Sequence, residues 1–447
     1  MDYYIKQFYK KNAKIRENFN LALCNKKLPN DILNYIYTFY TKNELSIDKK
    51  TLTHKLPENI THLMINDKYN EIMYPTTFPF SYQYSLKEIH IDISSNYNSP
   101  FIKYSIPCSV SRIIINNKYN KKFSNDSFPD KLKELIFSSG SMYKTEIEND
   151  VFYEKGENMK LLILSGGYNS SINFIKNLKN LEVLSFDIQV FYLTNIINNK
   201  SEYKYYDKSF TKILIDIEKE CKAFNDQNWY LDNDEHDFNK INDSRSYFNQ
   251  IIVPNFLPST LKELYLSKSY NIKFEHGVLP NGLKILALDY GYKHDFDIGV
   301  LPHGLEVLVI DNLSNLKPNV LPSSLKELYI KIYESISEGF NIGDLPNSLE
   351  IFSINNYFCK NKITKNMFPS NLKKFYTHMN IKYIFDELPD SIELLYFPNI
   401  DQNIKLFKVF PKNLKKITVN KIYAIRNHSW MKRLPDDVII RFTGKID

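Results

Sequence analysis

Leu257-Pro258-Ser259-Thr260-Leu261-Lys262-Glu263-Leu264-Tyr265-Leu266 is the stretch that decides the fold, because the chain repeats its pattern many times. The pattern is a large apolar residue, a proline, two small or polar residues, and then Leu-Lys-x-Leu-x-Leu. A period of 20 to 24 residues is the length of one solenoid turn and is too short for an independent domain. In the second half of the 447-residue chain the repeated prolines are Pro258, Pro280, Pro302, Pro322, Pro346, Pro369, Pro389 and Pro411.

The spacing of apolar residues within one copy predicts a short strand. Counted from Pro258, they stand at +3, +6 and +8, as Leu261, Leu264 and Leu266. The last two alternate with period two and therefore share one face of a strand, while the +3 residue reaches the core from the preceding bend. Proline fixes φ and donates no amide, so it suits that bend. We expect a repeat solenoid in which the strands stack in parallel around one core.

Earlier copies extend the array over most of the chain, to about a dozen turns. Clear copies begin at Leu56, Ile106 and Phe128. Weaker copies lack the proline but keep the apolar frame: Leu86, Ile89 and Ile91; Met159, Leu162 and Leu164; Leu181, Leu184 and Phe186; Phe210, Ile213 and Ile215. A last copy at Leu434-Pro435 continues with Val438, Ile440 and Phe442, which breaks the frame and is typical of a terminal cap.

Two segments do not follow the pattern. Residues 216–255 are polar and acidic and are predicted to loop out as an insert between irregular repeats at 51–215 and regular repeats at 256–447. Their acidic run, residues 232–237, has Asp237 where a calcium loop needs glycine, and Asp243 where it needs glutamate, so we interpret it as a solvated loop. Residues 1–50 are predicted to be a helical N-terminal segment, since Ile32, Leu33 and Ile36 have helical spacing.

Two stretches of the regular half resemble a known repeat. Residues 277–286, Gly-Val-Leu-Pro-Asn-Gly-Leu-Lys-Ile-Leu, and residues 340–349, Phe-Asn-Ile-Gly-Asp-Leu-Pro-Asn-Ser-Leu, are similar to the FNIP repeat. That family is related to leucine-rich repeats and is abundant in social amoebae and in large DNA viruses of amoebae. The resemblance implies a leucine-rich-repeat-like stack of short parallel strands with a period of about 22 residues.

The N-terminal segment carries a second resemblance. Residues 28–36, Leu-Pro-Asn-Asp-Ile-Leu-Asn-Tyr-Ile, resemble the opening of an F-box, which often precedes FNIP repeats, although an F-box is roughly twice as long as the segment before Leu56 allows. The resemblance implies a substrate-recruiting subunit of an SCF-type ubiquitin ligase. The alternative is a scaffold without ligase function, in which residues 28–45 are a helical cap on the solenoid. In the first interpretation the residues that dock on a Skp1-like adaptor are Leu28, Pro29, Ile32, Leu33 and Ile36.

The strand residues at +5 and +7 point away from the core and provide a candidate partner-binding face. In the regular half they place tyrosines around an apolar centre, and tyrosine is enriched at protein interfaces. The alternative is that a helix, a loop such as the acidic insert, or another subunit covers this face. The residues assigned to the face are Tyr265, Ile285, Val307, Val309, Tyr329, Tyr376 and Tyr396.

Charge at position +4 argues against nucleic acid as a partner. The net charge is +7, but the +4 row alternates in sign from Lys284 onward. Stacked in register, these side chains lie about 4.8 Å apart and neutralise one another, whereas a phosphate-binding groove needs uncompensated Lys and Arg. The row is Lys262, Lys284, Glu306, Lys326, Glu350, Lys373, Glu393 and Lys415.

The sequence offers no catalytic or metal-binding pattern. Gly166-Gly167 lacks the Gly-Lys-Ser/Thr of a phosphate loop, and no His-Glu-x-x-His pair occurs. Cys24, Cys108, Cys221 and Cys359 are far apart, which favours reduced thiols over disulfides or zinc. No apolar run is long enough to span a bilayer and no signal-peptide core is present. We expect a protein that is not an enzyme and has no cofactor. We expect it in the cytoplasm or nucleus, and in those compartments of the host cell if the protein is viral.

Overall fold

The computed structural model describes residues 44–47, 60–186, 246–331, 345–355, 368–377, 388–397, 409–420 and 433–443, apart from gaps of one to four residues inside these ranges. Short strands dominate this part of the chain. They are β1 (Glu44–Ile47), β2 (His62–Ile65), β3 (Glu88–Ile91), β4 (Arg112–Ile115), β5 (Glu134–Phe137), β6 (Leu161–Ile163), β7 (Val183–Ser185), β8 (Glu263–Tyr265), β9 (Ile285–Ala287), β10 (Val307–Ile310), β11 (Glu327–Lys331), β12 (Ile351–Asn355), β13 (Lys374–Thr377), β14 (Leu394–Phe397), β15 (Lys416–Asn420) and β16 (Ile439–Thr443).

The strands form one parallel sheet in chain order, which confirms the predicted solenoid. Within the described residues the sheet has sixteen strands, each paired with its neighbours in sequence, more than the dozen turns expected. The register stacks the +6 residues of successive turns: Leu264 pairs with Leu286, and Leu286 with Leu308. One supersecondary unit is therefore repeated with a period of about 22 residues.

The predicted core positions are buried. Leu261, Leu264 and Leu266 are all 0% exposed. The weaker copies behave in the same way, since Leu86, Met159 and Leu181 are at most 1% exposed. A fully buried leucine contributes about 1.5–3 kcal/mol relative to an exposed one. Because each turn buries its leucines only against the turns beside it, the core is one continuous cluster along the solenoid, called the main core below.

In the copies that carry the proline, it lies in a tight turn at the corner before the strand. The Leu261 amide donates to the Pro258 carbonyl oxygen at 3.0 Å, and the same turn closes at Pro280 and Pro302. Three residues before the proline the backbone is left-handed, with φ +80° at Gly277 and +84° at Gly299. Asparagine or tyrosine occupies this position in other turns. A residue with a Cβ atom has a steric cost in the left-handed conformation, which glycine does not have.

Where the proline is missing, short helices form the corner. The helix α1 (Tyr82–Ser85) precedes Leu86. The 3₁₀ helices Asn149–Phe152 and Gly156–Asn158 precede Met159, and Asn173–Asn177 precedes Leu181. Their buried residues join the main core, so these corners differ in backbone shape but serve the same packing.

Two ladders that the sequence analysis did not predict run from turn to turn along the solenoid. Buried aromatic rings stack from turn to turn, as in Tyr69–Tyr97, with centroids 5.9 Å apart and planes 5° apart. The residue after the ring is often asparagine, and its Oδ1 accepts the amide of the equivalent residue in the next turn. Asn249 accepts from Asn271 in this way at 2.9 Å. Each asparagine thus satisfies a backbone donor that no strand reaches.

The predicted C-terminal boundary of the acidic insert is wrong. Phe248 and Ile252 are buried in the main core at 0% and 4% exposure, so residues 246–255, which were predicted to belong to the insert, belong to the array. The sequence pattern missed this stretch because Phe248 and Ile252 precede Pro258, the first proline of the regular half. Strand β7 pairs directly with β8. The copy predicted at Phe210, Ile213 and Ile215 lies outside the described residues.

The two ends of the array also differ from expectation. Strand β1 pairs in parallel with β2, so the sheet already begins at Glu44, inside the segment predicted to be helical. Residues 1–43, with the F-box-like Leu28 to Ile36, lie outside the described residues. In the last turn Ile440 pairs with Ile417, so the core frame is shifted by one residue. Ile439 of this terminal strand is 60% exposed.

Candidate functional site

The candidate site is the side of the sheet opposite the main core, called the second face below. Side chains of a strand alternate between the two sides of the sheet. In β8, Leu264 points into the main core, while Tyr265 belongs to a separate apolar cluster. The +5 and +7 residues of successive turns therefore share the second face, as the sequence predicted.

The centre of the second face is buried, which the sequence analysis did not predict. Tyr265 is 0% exposed, Ile285 2%, Val307 7% and Val309 1%. These four predicted contact residues are packed within a cluster whose other members come from strands on both sides of β8. The cluster consists of Ile114, Ile136, Leu161, Ile163, Val183, Tyr265, Ile285, Ala287, Val307, Val309 and Tyr329. In this structure its side chains are not available to a partner in solution.

Tyrosine hydroxyls on this face bond to carboxylates of their own strands. Tyr265 Oη donates to Glu263 Oε2 at 2.7 Å, and Tyr329 Oη donates to Glu327 Oε2 at 2.8 Å. Burial raises the pKa of Tyr329, and the neighbouring Glu327 charge raises it further. Tyr329 is therefore a neutral donor, and in both strands the +5 glutamate accepts a hydrogen bond from a hydroxyl that would otherwise be costly to bury.

The C-terminal end of the second face is more open. Tyr376 is partly exposed, and its ring lies 6.0 Å from that of Tyr396, which is 8% exposed. Burial raises the pKa of Tyr376 to about 12. The flanking Lys374 is also partly exposed. Of the seven predicted contact residues, Tyr376 is thus the one that the structure leaves accessible to solvent.

The N-terminal end of the second face carries charge, and the sequence analysis missed it. Arg112 Nη1 lies 3.3 Å from Glu88 Oε2, and Arg112 Nε lies 2.5 Å from Glu134 Oε2. The arginine thus joins β3, β4 and β5 across the face. The signal was present in the sequence, because Glu88, Arg112 and Glu134 occupy position +5 of three consecutive turns with alternating sign. Charge-assisted bonds of this geometry fix three strands together.

The predicted charge ladder at +4 is confirmed. Glu306 lies between Lys284 and Lys326, with Nζ–O distances of 3.0 and 2.9 Å. Hydrogen bonds from Lys326 and Lys284 hold the pKa of Glu306 below its usual range. The row continues into the irregular half, where Glu182 contacts Lys160 at 2.8 Å and Lys262 at 2.7 Å. These lysines are compensated within the protein.

The remaining sequence predictions concern chemistry. Within the described part of the chain no three His, Cys, Asp or Glu side chains are placed to hold a metal ion. Cys108 is an exposed free thiol, while Cys24, Cys221 and Cys359 fall outside that part, as does the acidic run 232–237. Among the helices that can be described, none is long and apolar enough to cross a membrane.

Comparison with known families identifies the repeats. The FNIP repeat matches residues 97–140, 248–291, 270–312 and 292–333. These stretches cover turns of both halves of the sheet, including the turn at 248 that the sequence analysis had assigned to the insert. No curated protein matches the chain in sequence. FNIP repeats are thus present, and they coincide with turns built on the aromatic and asparagine ladders.

Three solved structures align with most of this chain. CroV588, described as a novel circular LRR protein, aligns over 87% of this chain and 58% of its own, with 18% identity and a TM-score of 0.46. The TLR13–ssRNA13 complex aligns over 90% and 61%, with 11% identity and a TM-score of 0.42. YopM from Yersinia enterocolitica WA-314 aligns over 90% and 86%, with 14% identity and a TM-score of 0.34. The chain spans about three fifths of the length of the first two. At these values the likeness says nothing about what this chain binds.

Proposed function

We propose that this chain, which contains FNIP repeats, is a non-catalytic protein-interaction module. A solenoid of stacked turns presents an extended surface, and such architectures are typical of binding scaffolds. The observation that carries the proposal is the open C-terminal end of the second face, where Tyr376 and Lys374 lie beside Tyr396. Partly exposed tyrosines give a large contact area at low cost in conformational entropy.

The chemistry of this end favours a protein partner with apolar and acidic side chains. Such a partner would pack on the Tyr376 ring and pair with Lys374. The centre of the second face, which is buried, does not take part in this contact. Tyr265, Ile285, Val307 and Val309 belong to that buried centre, and Tyr329, at 6% exposure, lies between it and the open end in strand order.

The test is affinity purification of the full chain with quantitative mass spectrometry, comparing wild type with Tyr376→Ala. A tyrosine at the centre of an interface contributes at least about 2 kcal/mol, so binding should weaken about thirtyfold. The matched control is Tyr153→Ala, because Tyr153 is 72% exposed beside a connecting 3₁₀ helix, away from the strands. Proteins lost from both variants alike, or from neither, would contradict the assignment of the surface.

The more specific role that we propose is recruitment of substrates to an SCF-type ubiquitin ligase. Leu28, Pro29, Ile32, Leu33 and Ile36 would dock on a Skp1-like adaptor, and the repeats would hold the target near the ubiquitin-transferring subunits. Support comes from the F-box-like sequence and its place before FNIP repeats. This role puts the protein in the cytoplasm or nucleus, the compartments in which such ligases act.

A specific observation favours the alternative, a scaffold without ligase function. The sheet already begins at Glu44, which leaves less room after Leu28 than a complete F-box needs. Co-purification with a Skp1-like protein, comparing wild type with Leu33→Ala/Ile36→Ala, separates the two. Adaptor retained by wild type and lost from the double variant supports the ligase role. Adaptor recovered with neither chain leaves the scaffold.

A further inference from the structure

The +4 row loses its alternation in the irregular half of the array. From Lys284 onward, lysine and glutamate follow one another from turn to turn. The equivalent residues before β3, β4 and β5 are Lys87, Ser111 and Lys133. A serine therefore stands between two lysines, in the place where the regular half has a glutamate. These three residues are called the Ser111 site below.

The backbone around Ser111 has the same hydrogen bonds as the backbone around Glu306. The Ser111 amide donates to the Lys87 carbonyl oxygen at 2.9 Å, and the Lys133 amide donates to the Ser111 carbonyl oxygen at 2.8 Å. The corresponding bonds of Glu306 with its two neighbours in the row are also 2.9 and 2.8 Å long. The two places thus share one backbone arrangement and differ in the side chain at the centre.

Glu306 shows what this arrangement can hold. Its carboxylate lies 3.0 Å from Lys284 Nζ and 2.9 Å from Lys326 Nζ. Neighbouring strands are about 4.8 Å apart, so a carboxylate above Ser111 would have a lysine of the row at that spacing on each side. That distance is within reach of a lysine side chain. The Ser111 site therefore has the geometry of an ion-pair triplet whose central carboxylate the chain does not supply.

Among the residues that the structure describes, neither lysine of the Ser111 site has a carboxylate partner. Both are exposed. Lys87 Nζ donates to the Tyr84 carbonyl oxygen at 3.3 Å, and Lys133 forms no ion pair. Positive charge is thus concentrated at this place in a row that is elsewhere compensated. The described lysines of the row that do pair with one of its glutamates are Lys160, Lys262, Lys284, Lys326, Lys373 and Lys415.

Exposed aromatic rings lie at the corner that leads into the Ser111 site. Phe80 is 76% exposed and Tyr84 69%, and their rings are in edge-to-face contact with centroids 5.6 Å apart. Tyr84 belongs to α1, which precedes β3. The Cys108 amide donates to Gln83 Oε1 at 3.0 Å, so this corner is attached to the turn that carries Ser111. Exposed rings of this kind provide contact area at protein interfaces.

We propose that the Ser111 site, together with the Phe80 and Tyr84 rings, is a docking surface for an acidic segment of a partner protein. An aspartate or glutamate of the partner lies between Lys87 and Lys133, as the glutamates of the regular half lie between their lysines. Apolar side chains of the same segment pack on the two rings.

Charge complementarity favours a protein over a nucleic acid as the occupant. The uncompensated stretch of the row is one position long, which fits one carboxylate, whereas a phosphate backbone needs a longer run of uncompensated lysine or arginine. The surface lies at the corner of the turns in the irregular half, apart from the C-terminal end of the second face. The inference thus goes beyond the proposed function, and different substitutions test the two surfaces.

The test uses Ser111→Glu, which places a carboxylate of the chain itself between the two lysines, and Ser111→Gln as a matched uncharged control. The full chain of wild type and of each variant is immobilised, and a phage-displayed library of random short peptides is selected on it. We expect peptides that share an acidic residue to be enriched on wild type and on Ser111→Gln but not on Ser111→Glu. A selected peptide should bind Ser111→Glu about two- to thirtyfold more weakly, because it loses two exposed ion pairs. Enrichment of the same peptides on Ser111→Glu, or of none on wild type, would overturn the proposal.

A second measurement tests the site without any partner. If the backbone at Ser111 holds a carboxylate as it does at Glu306, Ser111→Glu should slow hydrogen exchange of β3, β4 and β5 through local opening. The expected slowing is about two- to thirtyfold relative to Ser111→Gln, and high salt should reduce it. Equal exchange in the two variants would contradict the proposal. Binding of a single-stranded oligonucleotide that Ser111→Glu abolishes, in place of peptide binding, would assign the surface to nucleic acid and overturn the proposal as well.

Discussion

Reversing one charge of the +4 ladder should destabilise the turns around it, and reversing its two neighbours as well should restore them. Glu306 contacts Lys284 and Lys326 at 3.0 and 2.9 Å, and its side chain is 34% exposed. The substitution Glu306→Lys removes both attractions and introduces two repulsions in their place. These side chains immediately precede adjacent parallel strands, where attraction between neighbours helps to fix the register.

The magnitude follows from the exposure of these groups. An exposed ion pair contributes about 0.2–1 kcal/mol, and a like-charge pair costs a similar amount. Two lost attractions and two new repulsions give a loss of about 0.8–4 kcal/mol for Glu306→Lys. The triple variant Glu306→Lys/Lys284→Glu/Lys326→Glu restores alternation: it gains an attraction to Lys262 and creates a repulsion with Glu350. The numbers of attractive and repulsive neighbours then equal those of wild type, so stability should return.

The assay is native-state hydrogen exchange of β9, β10 and β11, because a repeat array need not unfold in one step. A loss of 1 kcal/mol raises exchange through local opening about fivefold. Exchange should be faster in the single variant, close to wild type in the triple variant, and less affected at 1 M salt, where the Debye length is about 3 Å. Unchanged exchange in the single variant, or no recovery in the triple, would refute a stabilising ladder.

Three further predictions concern the backbone and titration. Gly291→Ala should destabilise the array by about 1–3 kcal/mol in chemical denaturation, because the new Cβ would collide with the Lys268 carbonyl oxygen; an unchanged midpoint would show that the turn can shift. Hydrogen bonds from lysines lower the pKa of Glu182 in the folded protein. Its carboxylate therefore stabilises the fold above the unfolded pKa of about 4.3, and this stabilisation is lost as the pH falls through the lowered pKa. The melting temperature should drop below about pH 4.3 in wild type, and the drop should be smaller in Glu182→Gln. Burial raises the pKa of Tyr292 to about 12, so the neutral ring stabilises the fold fully below the unfolded pKa of about 10, and this stabilisation is lost as the pH rises towards 12. The absorbance at 295 nm, titrated in wild type and in Tyr292→Phe, should show this delayed ionisation. A difference spectrum that titrates near pH 10 would count against burial of the ring.

The candidate site shows where local pattern stops being informative. Alternation placed Tyr265, Val307 and Tyr376 on one face correctly, because it depends only on strand geometry. It could not tell that the first two are buried and the third is partly exposed. Whether a face is covered depends on segments far away in sequence. The charged +5 residues around Arg112 could have been found, because their alternation in sign is visible in the sequence.

By itself the sequence determined the repeat, its parallel strands, the core positions and the charge ladder, because each follows from residues within one turn and from their recurrence at a fixed period. The tertiary structure alone decided the direct pairing of β7 with β8, the first strand at Glu44, the turn at Phe248 and the burial of Tyr265. These features depend on which segments meet in space. Pairing β7 with β8 brings together strands separated by a long stretch of chain, and the cost of closing that loop grows only slowly with its length. A pattern of residues within one turn therefore carried no signal for the pairing of β7 with β8.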